Sequence, residues 1–425
     1  MASGLAQEHV SVKGMPDILP EESVWWLQLE KYLLKLMDQY GYQQIRLPLL
    51  EKTALFKRAI GETTDVIEKE MFNFLDEKNR SLSLRPEGTA GCVRSCIEHG
   101  LLRNLPEKLW YLGPMFRYEA PQKGRYRQFN QLGVECFGVS GIDVEIEQIA
   151  MFSRLWRQLG LDNVIQLEIN HLGTTVVRTN YIKDLVSYFK EHYALLDLDS
   201  QKRLSTNPLR ILDSKNIQMR TIIDNAPKLY NYLDSESLIK YQEFKKQLEL
   251  LNIQFIENQN IVRGLDYYTG IVWEWTSNLL GAQSAVGGGG RYDNLVEQLG
   301  GAQVPAVGLA VGVERIMILL KQQHNNFSKI NVDGYLISVG LKAIEQKFVI
   351  AEKIRDIYPN INLMIDLLGG NFKNQFKRAD KSGAKLAFIL GEDEINTNTV
   401  TIKNLRANDI KQQTVQLKDL ANVIV

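Results

Sequence analysis

Residues Leu109–Val139, LWYLGPMFRYEAPQKGRYRQFNQLGVECFGV, decide how this chain folds. Two apolar runs, Leu109 to Tyr118 and Arg127 to Val139, flank the polar loop Glu119 to Tyr126, where Pro121 and Gly124 supply the turn. The pattern predicts a long antiparallel hairpin. On its outgoing strand Phe129, Gln131, Gly133, Glu135 and Phe137 share one face, because side chains alternate across a strand. Two polar side chains spaced by a glycine suit a ligand floor, the glycine letting a ligand come close. Arg117 ends the incoming strand, and Lys123, Arg125 and Arg127 crowd the loop. A charged tip is equally what a solvated hairpin carries.

Upstream, Trp26, Leu29, Leu33, Leu36, Met37 and Tyr40 recur at helical spacing over Pro20–Tyr40, with Glu21 and Glu22 at the start and Gly41 at the end. Gln44–Leu50 reads as an edge strand interrupted by Pro48, and Pro86–His99 as a helix. Downstream, Gly141–Leu159 is helical. The polar, Leu/Lys/Asp-rich stretch from about Leu172 to Leu251 reads as a helical insertion. Strand pattern returns at Ile261–Trp275 and Gln283–Val286, and Val307–Leu320 passes from strand to helix. Lys321–Lys329 is a linker candidate. Beyond it, short strands at Gly334–Gly340, Asn362–Asp366 and Ala387–Leu390 alternate with helices, a separate α/β domain.

The 425 residues balance 50 Lys+Arg against 50 Asp+Glu. Zero net charge excludes a basic coat, so any RNA contact comes from local patches. Cys92, Cys96 and Cys136 form no disulfide framework and no zinc set, and read as buried small hydrophobes in a reducing compartment. No secretory signal or membrane-length apolar run is seen, which predicts a cytoplasmic protein.

Four further segments carry chemistry. Arg263-Gly264-Leu265-Asp266-Tyr267-Tyr268-Thr269-Gly270 sets a cation, a carboxylate and two phenols beside glycine, suiting a pocket that holds a small polar ligand with an anion. Arg85-Pro86-Glu87-Gly88-Thr89 places a carboxylate and a hydroxyl at a helix start, either for an ammonium or simply as a cap. Gly287 to Gly290, leading into Arg291-Tyr292-Asp293, leave backbone bare for a ligand, for tight packing or as a connector. Gly308 to Arg315 puts Arg315 in a first helical turn, where phosphate is favoured, although a lone Arg there is usually only solvated. None of the five histidines lies in these segments, so arginine and carboxylate are what the sites share. That combination fits phosphoryl chemistry run by positioning and charge neutralisation.

In this order the segments resemble the class II aminoacyl-tRNA synthetases, and among them the histidyl-tRNA synthetases. Gly41–Lys57 resembles the first class II motif, a homodimer interface in the family; Phe116–Gly133 resembles the second and Gly308–Arg315 the third. Arg263–Thr269 and Gly288–Asp293 resemble the two histidine-specific segments. The resemblance implies an α/β fold class. Residues 1–325 would form an α+β catalytic domain, an antiparallel sheet flanked by helices with an insertion at about 172–255. Residues 330–425 would form an anticodon-binding domain.

It further implies ATP-dependent activation of L-histidine and transfer to tRNA(His), with Mg²⁺ accompanying ATP and no all-protein metal cage. By resemblance Glu87, Gly88, Thr89, Gln131 and Glu135 hold histidine, with carboxylates on its ammonium, and Tyr267, Tyr268 and Tyr292 shape the imidazole pocket. Arg117, Arg125, Arg263 and Arg315 meet ATP, Arg117 and Arg263 being catalytic, while Gln122 and Lys123 meet tRNA. Ala120 stands where the commoner pattern has Arg; the resemblance implies one fewer contact to the tRNA acceptor end there, or its transfer to Gln122, Lys123 or Arg125. Lys373, Lys377 and Lys381 recur along a predicted helix of the anticodon-reading domain. The alternative is a non-catalytic relative with the same fold, the regulatory subunit of ATP phosphoribosyltransferase.

Overall fold

Pro20 opens helix α1 (Pro20–Gln39), where its missing N–H costs nothing, and Glu21 and Glu22 face the positive end of the macrodipole. Trp26, Leu29, Leu33, Leu36 and Met37 form its buried stripe, and Gly41 at φ +73° lets the chain turn away. The strand expected over Gln44–Leu50 is split. Only Gln43–Gln44 (β1) joins the main sheet, whereas Leu50–Lys52 (β2) pairs in a small separate one. Pro48 between them has no N–H to give a ladder. Helix α2 (Thr53–Ile60) follows, then β3 (Asn73–Leu75) and β4 (Ser81–Leu84), which complete the small sheet in the order β2-β4-β3. This computed structural model describes residues 10–61, 64, 66–212, 214, 216–261, 265, 267–281, 284–323, 332–407 and 412–422.

Helix α3 (Thr89–Glu98) begins three residues later than the sequence suggested, because the Glu87 carboxylate accepts the N–H groups of Thr89 and Ala90 at 2.6 and 2.9 Å. The hairpin forms as β5 (Glu107–Phe116) and β6 (Gln128–Phe137), with Tyr111 opposite Gly133. Helix α4 (Asp143–Gln158) and strand β7 (Gln166–His171) lead into four helices, α5 (Thr175–Glu191), α6 (Leu198–Thr206), α7 (Arg220–Asn225) and α8 (Ser235–Leu250). Strands β8 (Phe255–Glu257), β9 (Thr269–Thr276) and β10 (Ala285–Arg291) return to the sheet. The short helix α9 (Leu295–Gln298), β11 (Ala306–Gly312) and α10 (Val313–Gln322) finish the unit.

The main sheet runs β1-β5-β6-β11-β10-β9-β7-β8, antiparallel except for its two outermost pairings. The glycine run is neither loop nor connector: Gly287 to Gly290 are the middle of β10, paired on both sides. A Cβ at Gly289 would meet Trp273 at 2.5 Å, and one at Gly290 would meet Val272 at 2.7 Å. Bare backbone here serves sheet packing beside two large side chains.

The chain divides into the units Met1–Asn326 and Phe327–Val425. Among the described residues the second has five strands, β12 (Gly334–Ser338), β13 (Leu363–Ile365), β14 (Leu386–Leu390), β15 (Thr399–Asn404) and β16 (Gln413–Gln416), in the order β13-β12-β14-β15-β16. The first three in that order are parallel and the rest antiparallel. Helices α11 (Leu341–Ile357), α12 (Phe372–Lys381) and α13 (Glu392–Thr397) connect them. Strand β15 escaped the sequence reading because Thr399 and Thr401, polar by type, are buried beside Val400 and Ile402, and β16 because its short QTVQ run is mostly exposed. Among the described residues no helix is long and apolar enough to cross a membrane.

Candidate active site

Strand β6, the start of α3 and the turn from β11 into α10 converge on a cavity of about 240 Å³. At one end stand guanidinium groups. Arg117, just past β5, donates from Nε to the Pro86 carbonyl at 2.9 Å and lies 5.5 Å from the centre of the Phe129 ring. Arg315, in the first turn of α10, donates from Nε to the Gly124 carbonyl at 2.9 Å and also to the Ala285 carbonyl. Arg125 lines the same cavity and is ion-paired with Glu119. Burial, and then the like charges of Arg117 and Arg125, pull the Arg315 pKa down to about 10. Cations crowded until they repel one another are poised for a polyanion.

Along the wall, Gln131 presents a buried Oε1 with no hydrogen-bond partner, and Glu87 faces the cavity while its carboxylate caps α3. Burial raises the Glu87 pKa, against the pull of the helix N–H groups. Each of its oxygens uses one lone pair on the helix, leaving capacity for a ligand N–H. Capping is therefore compatible with ligand recognition. Tyr267 and Tyr268 close the cavity, their rings 4.8 Å apart.

Glu135, Gly88 and Tyr292 sit behind this wall. The Glu135 carboxylate accepts hydroxyl hydrogen bonds from Thr89 (2.7 Å), Tyr111 (2.9 Å) and Tyr292 (2.5 Å). Tyr111 escaped the sequence reading, although an aromatic facing a glycine across a hairpin was a usable signal. Its ring explains both glycines: a Cβ at Gly133 or at Gly88 would come within 2.1 Å of it. Gly133 therefore makes room for Tyr111, not for a ligand approaching the sheet. Gln122 and Lys123 are exposed at the hairpin tip, away from the cavity lining. Arg263 lies outside the described residues.

Burial pushes the Glu135 pKa up to about 8 in spite of the three hydroxyls. The folded protein therefore holds a proton that the unfolded chain, with an ordinary glutamate pKa of 4.5, has released. Stability from this group falls as pH rises from about 4.5 to about 8. Glu135→Gln lacks that loss, so its melting temperature relative to the parent should climb between pH 5 and pH 9. A difference that stays flat with pH would mean an ionised carboxylate throughout.

Fold and cavity together define the catalytic domain of a class II aminoacyl-tRNA synthetase: an antiparallel sheet carrying arginines from its second and third motifs at one cavity. The family model for histidyl-tRNA synthetase matches residues 14–316, and one for an anticodon binding domain matches residues 337–425. The chain belongs to the histidyl-tRNA synthetase family. It is 49% identical over 412 residues to a histidine–tRNA ligase from Legionella pneumophila (strain Lens), covering 96% of each chain. A crystal structure of apo S. aureus histidyl-tRNA synthetase superposes with a TM-score of 0.80 at 34% identity, covering 97% of this chain and 99% of that one. A Bacillus halodurans structure described as an ATP phosphoribosyltransferase regulatory subunit/histidyl-tRNA synthetase shares the fold at 20% identity and a TM-score of 0.61, covering 90% of this chain and 98% of that one.

Proposed function

We propose that this cavity activates L-histidine with ATP and that the chain then charges tRNA(His), as a histidine–tRNA ligase. The observation that carries this reading is the convergence of Arg117, Arg125 and Arg315 with Glu87, Gln131, Tyr267 and Tyr268 on one cavity. A carboxylate oxygen of histidine attacks the α-phosphorus of ATP, the bond to the bridging oxygen breaks, and pyrophosphate leaves. The terminal ribose hydroxyl of tRNA then takes the aminoacyl group and AMP departs. With the reacting carboxylate among the arginines, the imidazole points inward. Glu87 and Gln131 then meet the ammonium. Four residues along β6, about 13 Å, Glu135 with Tyr292 belongs to the ring end rather than to the ammonium.

Arg117 would neutralise charge on the α-phosphate, with Arg263 by resemblance, while Arg125 and Arg315 hold the rest of the triphosphate. Mg²⁺ bound with ATP would supply further charge neutralisation at the phosphates. Glu314 lines this cavity with a buried Oε2 lacking a hydrogen-bond partner, and such a site needs only one or two carboxylates. Gln122 and Lys123, exposed at the hairpin tip, would meet the tRNA acceptor end.

Residues 1–325 would be the catalytic domain, with the insertion at about 172–255, and residues 330–425 the anticodon reader. There Lys373, Lys377 and Lys381 are exposed along α12, suiting the RNA backbone. The working protein would be a cytoplasmic homodimer. Leu27 and Leu34 lie one heptad apart on the outer side of α1, and Leu50, Phe74 and Leu75 are exposed on the small sheet. A second copy covering them would remove an apolar patch from water.

Exchange of labelled pyrophosphate into ATP tests the reading. Histidine should support exchange and other amino acids should not. Absence of exchange by folded protein with ATP and Mg²⁺ would favour the regulatory-subunit alternative.

A further inference from the structure

Helix α5 opens with an arginine where an arginine is electrostatically misplaced. Arg178 lies in the first turn, beside the positive end of the macrodipole, and no acidic residue stands there with it. Helix stability does not account for its position. Its guanidinium instead crosses to the tyrosine segment, donating from Nη1 to the Tyr268 carbonyl at 2.9 Å. Backbone bonds lace the same two segments together: Leu172 N–H to the Gly270 carbonyl at 2.7 Å, and Gly270 N–H to the Gly173 carbonyl at 3.2 Å. The start of the insertion is thus fastened to the residues that close the active-site cavity.

A second observation points the same way. Leu265 lines the active-site cavity and also a smaller cavity of about 30 Å³ on the insertion side. Arg178, Tyr181, Leu209, Leu212 and Leu229 line that second cavity. Leu265 is therefore shared between the amino-acid site and the packing of the insertion helices.

We propose that Arg178 is a positioning residue for histidine recognition: by holding the Tyr268 carbonyl it fixes the Tyr267–Tyr268 wall, and so makes the insertion part of the amino-acid site. It touches neither substrate. This rests on the reading of the cavity as a histidine and ATP site. The physical argument is one of tolerance: a hydrogen bond from a charged donor is among the stronger neutral-carbonyl contacts, and misplacing a recognition wall by about 1 Å is costly. ATP, gripped at the arginine end, should feel the loss little.

The test uses the full-length protein in histidine-dependent pyrophosphate exchange. Arg178→Met keeps the aliphatic stem and removes the donor, and Arg178→Lys restores a donor. Parent activity tests the proposed function by itself, and the variants test only the clamp. In Arg178→Met the KM for histidine should rise about ten-fold while the KM for ATP stays within about two-fold, and Arg178→Lys should recover most of the loss. An unchanged KM for histidine, or equal rises for both substrates, would overturn the proposal. So would a lysine variant no better than methionine.

Discussion

Arg117→Ala should lower histidine-dependent pyrophosphate exchange by about 10²–10³-fold, the loss typical of removing one preorganised charge donor. The Pro86 carbonyl, which takes its Nε at 2.9 Å, and the Phe129 ring, 5.5 Å away, hold this guanidinium before substrate arrives. Such a group needs no reorganisation as charge shifts at phosphorus, which is where electrostatic catalysis gains most. Histidine, whose ammonium and ring would sit on Glu87, Gln131 and the tyrosines, should lose affinity by a much smaller factor, since only its carboxylate gives up one of several arginine partners. Rapid-quench measurement of adenylate formation beside calorimetric binding of histidine separates the two. Equal losses in binding and rate would remove the transition-state role.

Gly133→Ala should overpack the wall behind the site, lowering stability by about 1–3 kcal/mol, the range for overpacking a filled core. The new Cβ would lie 2.1 Å from the Tyr111 ring, and a Cβ at Gly88 would come equally close to the same ring. The ring cannot retreat, since its hydroxyl also donates to Glu135 at 2.9 Å. Any relief therefore shifts the Glu135 network, so histidine affinity should fall with stability. Urea unfolding and histidine titration on one preparation check both. A variant with parental stability would show that the strand moves freely, and the account of Tyr111 would fail.

The sequence by itself determined the hairpin, the helix behind it and the arginines that meet at one cavity, because strand alternation and helical spacing are local properties. Arg117 and Arg315 were legible because each follows a strand with a clear period. Other features waited for the tertiary structure. Glu135 and Glu87 look alike in sequence, yet one is enclosed by three hydroxyls with its pKa near 8, and the other caps a helix at the cavity wall. Desolvation depends on what surrounds a group, and those surroundings come from distant strands. The glycines tell the same story. Gly133, Gly287, Gly289 and Gly290 announced absent side chains, but only the sheet register revealed that aromatic rings, β-branched side chains and neighbouring backbone press on them. Arg178 was invisible for a related reason: its meaning is a carbonyl 90 positions away in the chain, and no local pattern encodes a contact at that separation.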